Sequence, residues 1–176
     1  MQVAQYKGVS ATSRIIRFVT RGPYSHSAFC FDEETLEAAR AIHRQLHRLP
    51  FMNEGAVVEA WLPECRNVHS LSTQHTPGTV VNLFDFDPLL TPIEEARLLL
   101  ILNDQIGTPY AVRDVLRFVT RRPGAETGRL FCSELVFKDA RSIGRDLFRK
   151  TEPWEVPPSW LQRSTGLKFR ETITTT

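Results

Sequence analysis

A cysteine at the predicted start of an amphipathic helix is the feature that most restricts how this chain can fold. From Cys132 onward, apolar residues recur at steps of three or four, at Val136, Ala140, Ile143 and Leu147. This spacing places them on one helical face, which must pack on a sheet or on another helix. Cys132 is the first residue of that stripe, so its thiol is predicted to point toward the packing surface.

A thiol in this position has two interpretations. The unpaired N–H groups and the positive end of the helix dipole favour the thiolate, which is the nucleophilic form of cysteine. A small buried hydrophobic residue is the commonest role of a free cysteine. The position of Cys132 alone leaves both interpretations open.

The size and charge of the chain predict a soluble globular protein. Its 176 residues are enough for one domain, 1–176, with a sizeable core, and 41% of them are hydrophobic while 24% are charged. The net charge of +2 gives no reason to expect a nucleic-acid partner. No apolar run approaches the ~20 residues of a membrane span, since Leu98–Leu102 is far too short. The beginning of the chain lacks the pattern of a signal peptide, so a cytoplasmic location is expected, with export by another route left open.

The cysteines predict neither a disulfide framework nor a metal centre. Cys30, Cys65 and Cys132 leave one thiol unpaired in any scheme, and their spacing matches no zinc pattern. His43 and His47 lie four residues apart on a predicted helix but have no evident third ligand. We therefore expect no cofactor and no metal.

Four strands can be predicted from runs of β-branched, aromatic and small residues between breakers. They are Val3–Lys7, Ser25–Phe31, Ala56–Trp61 and Val80–Phe86. The second strand carries apolar residues on both faces and is therefore predicted to be central.

Helices are predicted from apolar periodicity and from capping residues. They are Arg14–Thr20 capped by Ser13, Glu33–Arg48, a helix capped by Thr91 and running to about Ile106, Val112–Thr120, and the helix that begins at Cys132. The tail from Pro153 is predicted to be irregular.

Two polar residues stand inside predicted strands, where a cysteine nucleophile would need its partners. His26 lies on one buried strand, and Glu59 lies on another between Val57 and Trp61, which share its face. A lone carboxylate there would be costly unless it is paired. If the two strands are antiparallel neighbours, Glu59 can accept from one imidazole nitrogen and leave the other to face Cys132.

Each of these residues has an ordinary alternative. His26 could be a hydrogen-bonded core histidine, and Glu59 could lie on an exposed edge. Tyr24, two residues before His26, could line the site and donate to an oxyanion, or it could be a buried aromatic residue at a strand end. His69 and His75 lie in a polar loop and carry no evident signal. The combination of Cys132, His26 and Glu59 favours a catalytic site.

Four short motifs surround these residues and a glycine-proline turn: Tyr24-Ser25-His26, Val57-Val58-Glu59-Ala60, Gly107-Thr108-Pro109-Tyr110 and Phe131-Cys132-Ser133-Glu134-Leu135-Val136. Together they resemble the motifs of the circularly permuted NlpC-type cysteine peptidases, in the YiiX-like branch. The resemblance covers most of Tyr24 to Ala140, and the order of histidine, glutamate and cysteine fits the permuted arrangement. Two features depart from the family pattern: residues 33–48 look like an insertion, and Ala111 stands where an acidic residue is often found.

The resemblance implies an α+β, circularly permuted papain-like fold, with a small antiparallel sheet packed against helices. It implies hydrolysis of an amide bond in a peptide or peptidoglycan-like substrate through a thioester, with Cys132 as nucleophile, His26 as base and Glu59 orienting the imidazole. The alternatives are a lipid acyltransferase or esterase of the lecithin retinol acyltransferase-like type, acting on an acyl substrate, and a non-catalytic binding module with a vestigial site. Neither the scissile bond nor the oligomeric state follows from the sequence.

Overall fold

Six antiparallel strands form one sheet, which carries most of the residues that matter for the site. The computed structural model describes residues 1–48, 56–73, 75–111 and 129–176. The strands are β1 (Gln2–Lys7), β2 (His26–Cys30), β3 (Val57–Ala60), β4 (Cys65–Val68), β5 (Val80–Phe86) and β6 (Leu167–Thr174). Their spatial order is β4-β3-β2-β1-β5-β6. The prediction that β2 is a central strand is confirmed.

In the described ranges, four α-helices and three short 3₁₀ helices accompany the sheet. The α-helices are α1 (Ala11–Thr20), α2 (Glu33–Ile42), α3 (Pro92–Gln105) and α4 (Cys132–Ser142). The 3₁₀ helices are Arg44–Arg48, Pro153–Glu155 and Pro158–Arg163. The start of α3 is confirmed in detail, because the Thr91 and Glu94 side chains cap each other's backbone N–H groups and Pro92 is the first helical residue.

The two faces of the sheet bury different sets of side chains. Phe29 and Val58 belong to the main core, together with Leu135 and Val136 of α4. On the opposite face, Ala4, Ala28, Cys30 and Val57 form a second apolar cluster with Val68, Val81 and Leu83. This alternation follows from the two-residue period of the strands, and α4 therefore packs on only one face.

Two strands were not predicted from sequence. β4 has the sequence Cys-Arg-Asn-Val, whose mixed polarity resembles a turn, and it forms because it pairs with all four residues of β3. β6 lies in the tail that was predicted to be irregular, and that prediction is wrong. Most of β6 is exposed at the sheet edge, so its side chains carry little of the apolar signal that reveals a buried strand.

Several helix boundaries also differ from the predictions. Ser10, rather than Ser13, caps α1, since its side chain accepts from the Ser13 N–H. α2 ends at Ile42, so His43 and His47 do not share one α-helix. α4 ends at Ser142, before the last two apolar residues of its predicted stripe. The predicted helix Val112–Thr120 lies outside the described residues. Within the described part of the chain, no helix is long and apolar enough to cross a membrane.

Candidate functional site

His26 and Glu59 form a buried hydrogen-bonded pair on neighbouring strands. β2 and β3 are antiparallel, with Phe29 opposite Val58 and Cys30 opposite Val57. Continuing this register puts His26 and Glu59 on the same face, offset diagonally by two residues. The Nε2 atom of His26 lies 2.7 Å from Oε2 of Glu59. The predicted contact between these two residues is therefore present.

An arginine on the next strand accounts for the burial of the Glu59 carboxylate. Glu59 is 0% exposed, yet its Oε1 atom accepts from Nε of Arg66 at 3.0 Å and from Nη2 at 2.7 Å. Arg66 lies directly opposite Glu59 in the β3–β4 ladder. The guanidinium also lies over the Trp61 ring, 4.8 Å from its centroid. β4 therefore holds the carboxylate through one oxygen and leaves the other to the imidazole.

The electrostatics of the pair favour an ionised glutamate and a neutral histidine. Burial alone would raise the pKa of Glu59, but the hydrogen bond from His26 and the close approach of His75 outweigh it and hold that pKa well below its usual range. Burial is also the largest effect on His26, and it lowers the pKa of the imidazole. Because an ionised carboxylate only accepts, Nε2 of His26 carries the proton and donates to Glu59. A neutral His26 then has its lone pair on Nδ1.

A second histidine, His75, faces the same carboxylate oxygen. Its Nε2 atom lies 3.4 Å from Oε2 of Glu59, without the alignment of a hydrogen bond. The His75 ring stacks on Tyr6 at 4.1 Å between centroids. Trp61 meets both imidazoles edge-on, with centroids 4.9 Å from His26 and 4.9 Å from His75.

Sequence reasoning missed His75, and no local signal could have found it. The residue follows a loop rich in serine and threonine, and nothing in its spacing relates it to β2 or β3. It reaches the site only because that loop places it against Tyr6 of β1. The tertiary arrangement alone reveals this contact.

Cys132 lies at the first residue of α4, as predicted, and its side chain is fully buried. It belongs to a small apolar cluster with Ala111 and Phe131, against which Tyr110 packs. The Glu134 carboxylate accepts from the Phe131 N–H at 3.3 Å, and the Ser133 hydroxyl donates to the Val156 carbonyl. These contacts fix the beginning of the helix and therefore the position of the thiol.

The thiol of Cys132 also forms a hydrogen bond with the backbone of β2. The N–H groups of Ser27 and Ser133 act on it and favour the thiolate. Phe31, which directly follows β2, donates its N–H to the carbonyl of Ala56, which directly precedes β3, and alternate N–H groups along a strand point the same way. The Ser27 N–H therefore points toward the β3 side, but the β2–β3 ladder does not extend to Ser27. The sulfur of Cys132 therefore accepts from the Ser27 N–H where β2 and β3 separate, next to His26 in the sequence.

Burial outweighs these N–H groups, which corrects the expectation that the helix start favours the Cys132 thiolate. Burial is the largest effect on all three cysteines and raises the pKa of Cys30, Cys65 and Cys132 to about 12 in each case. Cys65 is buried as the first residue of β4. Among the described residues, the Cys132 thiol has no hydrogen bond to an imidazole.

The contacts of Tyr24 are with core residues of the sheet. Its hydroxyl accepts from the Asn82 side chain at 2.8 Å, and its ring packs edge-on against Phe84. Burial is the largest effect on this phenol and raises its pKa. These contacts explain why Tyr24 is buried, and its role toward an oxyanion stays a prediction.

A cavity of about 460 Å³ lies at another part of the sheet. Cys30, Val57 and Leu83 contribute to its wall, and so do the charged residues Asp85 and Arg170. His26, Glu59 and Cys132 are not among its lining residues. Because charged side chains share its wall with apolar ones, its lining gives no specific support for a lipid substrate.

The comparisons with known proteins show the fold. No protein-family model and no curated protein matches the chain. A solved structure, the crystal structure of metalloprotein yiiX from Escherichia coli O157:H7, DUF1105, matches with a TM-score of 0.60 and 14% sequence identity. The match covers 98% of this chain and 96% of that one. The chain is therefore a mixed α+β protein with a fold similar to that of yiiX.

Proposed function

We propose that this protein is a cysteine hydrolase in which Cys132 is the nucleophile, His26 the base and Glu59 the residue that orients the imidazole. The observation that carries the proposal is the buried 2.7 Å hydrogen bond between His26 and Glu59. A base that is held by a carboxylate through one nitrogen has its other nitrogen free for a nucleophile. In this interpretation the fold is the circularly permuted papain-like one.

In this proposal Cys132 meets the imidazole at the end of β2, because His26 shares the sheet face of Ala28 and Cys30 whereas α4 packs on the opposite face. The sulfur of Cys132 accepts from the Ser27 N–H at the point where β2 and β3 separate. β2 carries the base His26, and β3 carries its partner Glu59. Cys132 also begins α4, so the helix dipole favours negative charge on its sulfur.

The proposed reaction transfers an acyl group through a thioester. Nδ1 of His26 takes the proton from Cys132, whose sulfur attacks the substrate carbonyl, and Glu59 stabilises the imidazolium that forms. The backbone N–H of Cys132 supplies part of the oxyanion hole. His26 then protonates the leaving amine, and water hydrolyses the thioester with His26 acting again as the base.

Substrate binding must uncover the thiol for this reaction to occur. Cys132 is 0% exposed and packs with Ala111, Phe131 and Tyr110. A movement of these side chains would admit the substrate. It would also remove the desolvation that is the largest cause of the raised pKa of Cys132. Opening and activation are therefore the same step in this proposal.

The proposed substrate is an amide bond in a peptide or peptidoglycan-like molecule. This part rests on the resemblance of the motifs around His26 and Cys132 to the permuted NlpC-type peptidases. Ester hydrolysis or acyl transfer would make the protein a lecithin retinol acyltransferase-like enzyme instead. A paired assay of amide and ester substrates with the same acyl group separates these two activities.

The test of the proposal is to label the protein with a thiol-reactive acyl probe and to identify the labelled residue by peptide mapping. We expect the label on Cys132 and its loss in the His26→Ala variant. His69→Ala is the matched control, because His69 is exposed and outside the site. A label on Cys30 or Cys65, or equal labelling of the His26→Ala variant, would refute the assignment.

A further inference from the structure

Three potential metal ligands converge beside β2, and one of them has no hydrogen-bond partner. His26, Glu59 and His75 each offer one ligand atom, and these atoms all lie within 4.8 Å of one another. The His75 side chain is only 6% exposed, and its Nε2 atom is buried without a hydrogen bond. A buried polar atom without a partner is costly, which makes its position beside a carboxylate informative.

We propose that Nε2 of His26, Oε2 of Glu59 and Nε2 of His75 form a binding site for a divalent transition metal ion, with Zn²⁺ as the best match. Two imidazoles and one carboxylate are a ligand set that suits Zn²⁺, with water as the fourth ligand. Ligand distances of ~2.0–2.2 Å place the atoms of a tetrahedral site about 3.3 Å apart. The observed separations from Oε2 are 2.7 Å to His26 and 3.4 Å to His75.

The surroundings already hold the three ligands in place. Arg66 binds Oε1 of Glu59, and Oε2 is directed at the two imidazoles. Tyr6 stacks on His75, and Trp61 contacts both rings. Such contacts around the ligands restrict ring orientation and favour binding. The positive charge of Arg66 opposes a second cation, so we expect the metal to exchange rather than to be a permanent structural ion.

Metal binding requires a tautomer of His26 that differs from the one in its bond to Glu59. The proton leaves Nε2, whose lone pair then binds the metal, and Nδ1 becomes protonated. Nδ1 then donates and cannot serve as a base. If the proposed function is correct, the metal-bound form is therefore an inactive form of the enzyme.

The test uses the full chain after treatment with a chelator. Zn²⁺ affinity is measured by competition with a chromophoric chelator, and Co²⁺ is used as a spectroscopic substitute that reports tetrahedral geometry. We expect one ion per chain, at least tenfold weaker binding in His75→Gln, and unchanged binding in the exposed-site control His69→Gln. The Cys132→Ala variant should bind as the wild type does, because the thiol is not a ligand.

Three outcomes would refute the proposed metal site. Undetectable zinc binding, equal binding by His75→Gln, or loss of binding in Cys132→Ala would each do so. If His75→Gln does not fold, the imidazole ¹⁵N resonances of the wild type decide, since Zn²⁺ must shift Nε2 of both His26 and His75. The measurement uses no substrate, so its failure is independent of the proposed hydrolase activity.

Discussion

His75 Nε2 lies 3.4 Å from Oε2 of Glu59, the carboxylate oxygen that also accepts from His26 at 2.7 Å. One carboxylate oxygen thus faces two imidazoles, while Arg66 occupies the other oxygen. This arrangement gives Glu59 two distinct functions in our proposals. It orients a catalytic base, and it provides the anionic ligand of a metal site.

Replacement of Cys132 by alanine should abolish turnover without loss of folding. The side chain is small and buried, so the fold should tolerate the change, whereas no other group replaces the nucleophile. The turnover number and the thermal midpoint measure the two effects. Cys65→Ala is the matched control, because Cys65 is another buried thiol. A Cys132→Ala protein that still turns over substrate would show that the nucleophile is another residue.

Iodoacetamide should modify all three thiols slowly at mildly acidic pH, because burial raises the pKa of each to about 12. We expect Cys132 to react first. It alone begins a helix and receives the Ser27 and Ser133 N–H groups, and substrate-like ligands should accelerate its reaction by uncovering it. Mass spectrometry of the alkylated peptides gives the order. Faster modification of Cys30 or Cys65 would contradict the assignment.

Replacement of Glu59 by glutamine should slow turnover by about 10²-fold or more while His26 remains in place. An amide does not stabilise the imidazolium as a carboxylate does, and general-base catalysis contributes typically 10²–10⁴-fold. The loss should appear mainly in kcat. Glu64→Gln is a suitable control because Glu64 is an exposed neighbour in the same region. An unchanged kcat for Glu59→Gln would exclude Glu59 from the triad.

Asp139 should make the protein less stable as the pH rises from about 4 to 7. Both carboxylate oxygens are buried without a hydrogen bond, and burial raises the pKa of Asp139 from 3.8 to about 7. The native state therefore holds this proton more tightly than the unfolded chain, so the free energy of unfolding falls across that range. A difference of three pKa units corresponds to on the order of 4 kcal/mol.

The Asp139→Asn variant tests this prediction by denaturant unfolding at several pH values. It should be more stable than the wild type at pH 8 and should lack the decline between pH 4 and 7, because an amide does not ionise. Asp104→Asn, on the exposed side of α3, should follow the wild type. A parallel pH dependence in Asp139→Asn and the wild type would show that Asp139 is not responsible.

Replacement of Gly22 by alanine should destabilise the segment that leads to His26. An added Cβ would lie 2.1 Å from Cβ of Ser159, and overpacking of this kind costs about 1–3 kcal/mol. The Ser159 hydroxyl accepts from the Tyr24 N–H at 3.1 Å, so the collision would also disturb the start of β2. Thermal unfolding should show the loss, and Ser159→Gly in the same background should restore part of it. Additive effects of the two substitutions would refute the proposed collision.

Local sequence patterns were sufficient for the central part of the sheet. β5 has the predicted bounds, and β2 and β3 differ from their predictions by one residue at each end, because runs of β-branched, aromatic and small residues between breakers are typical of strands. The cap of α3 was also predictable, since Thr91 and Glu94 satisfy backbone N–H groups within a single turn.

Long-range pairing decided the rest of the fold. β4 has too little apolar character to be recognised, and it forms because β3 offers an edge and Arg66 can neutralise Glu59. β6 is an exposed edge strand that forms by pairing with β5. In both strands the stabilising contacts are with residues that are distant in sequence, so a local pattern does not contain them.

For the candidate site, the amino-acid sequence alone determined which residue types are costly to bury. A glutamate between apolar strand residues needed a partner, and a histidine on the neighbouring strand was the natural one. Only the tertiary structure decided that Arg66 and His75 share that carboxylate and that Cys132 is fully covered. The physical reason is that desolvation and charge pairing depend on every neighbour in space, whereas sequence periodicity specifies only which face of its own strand or helix a side chain occupies.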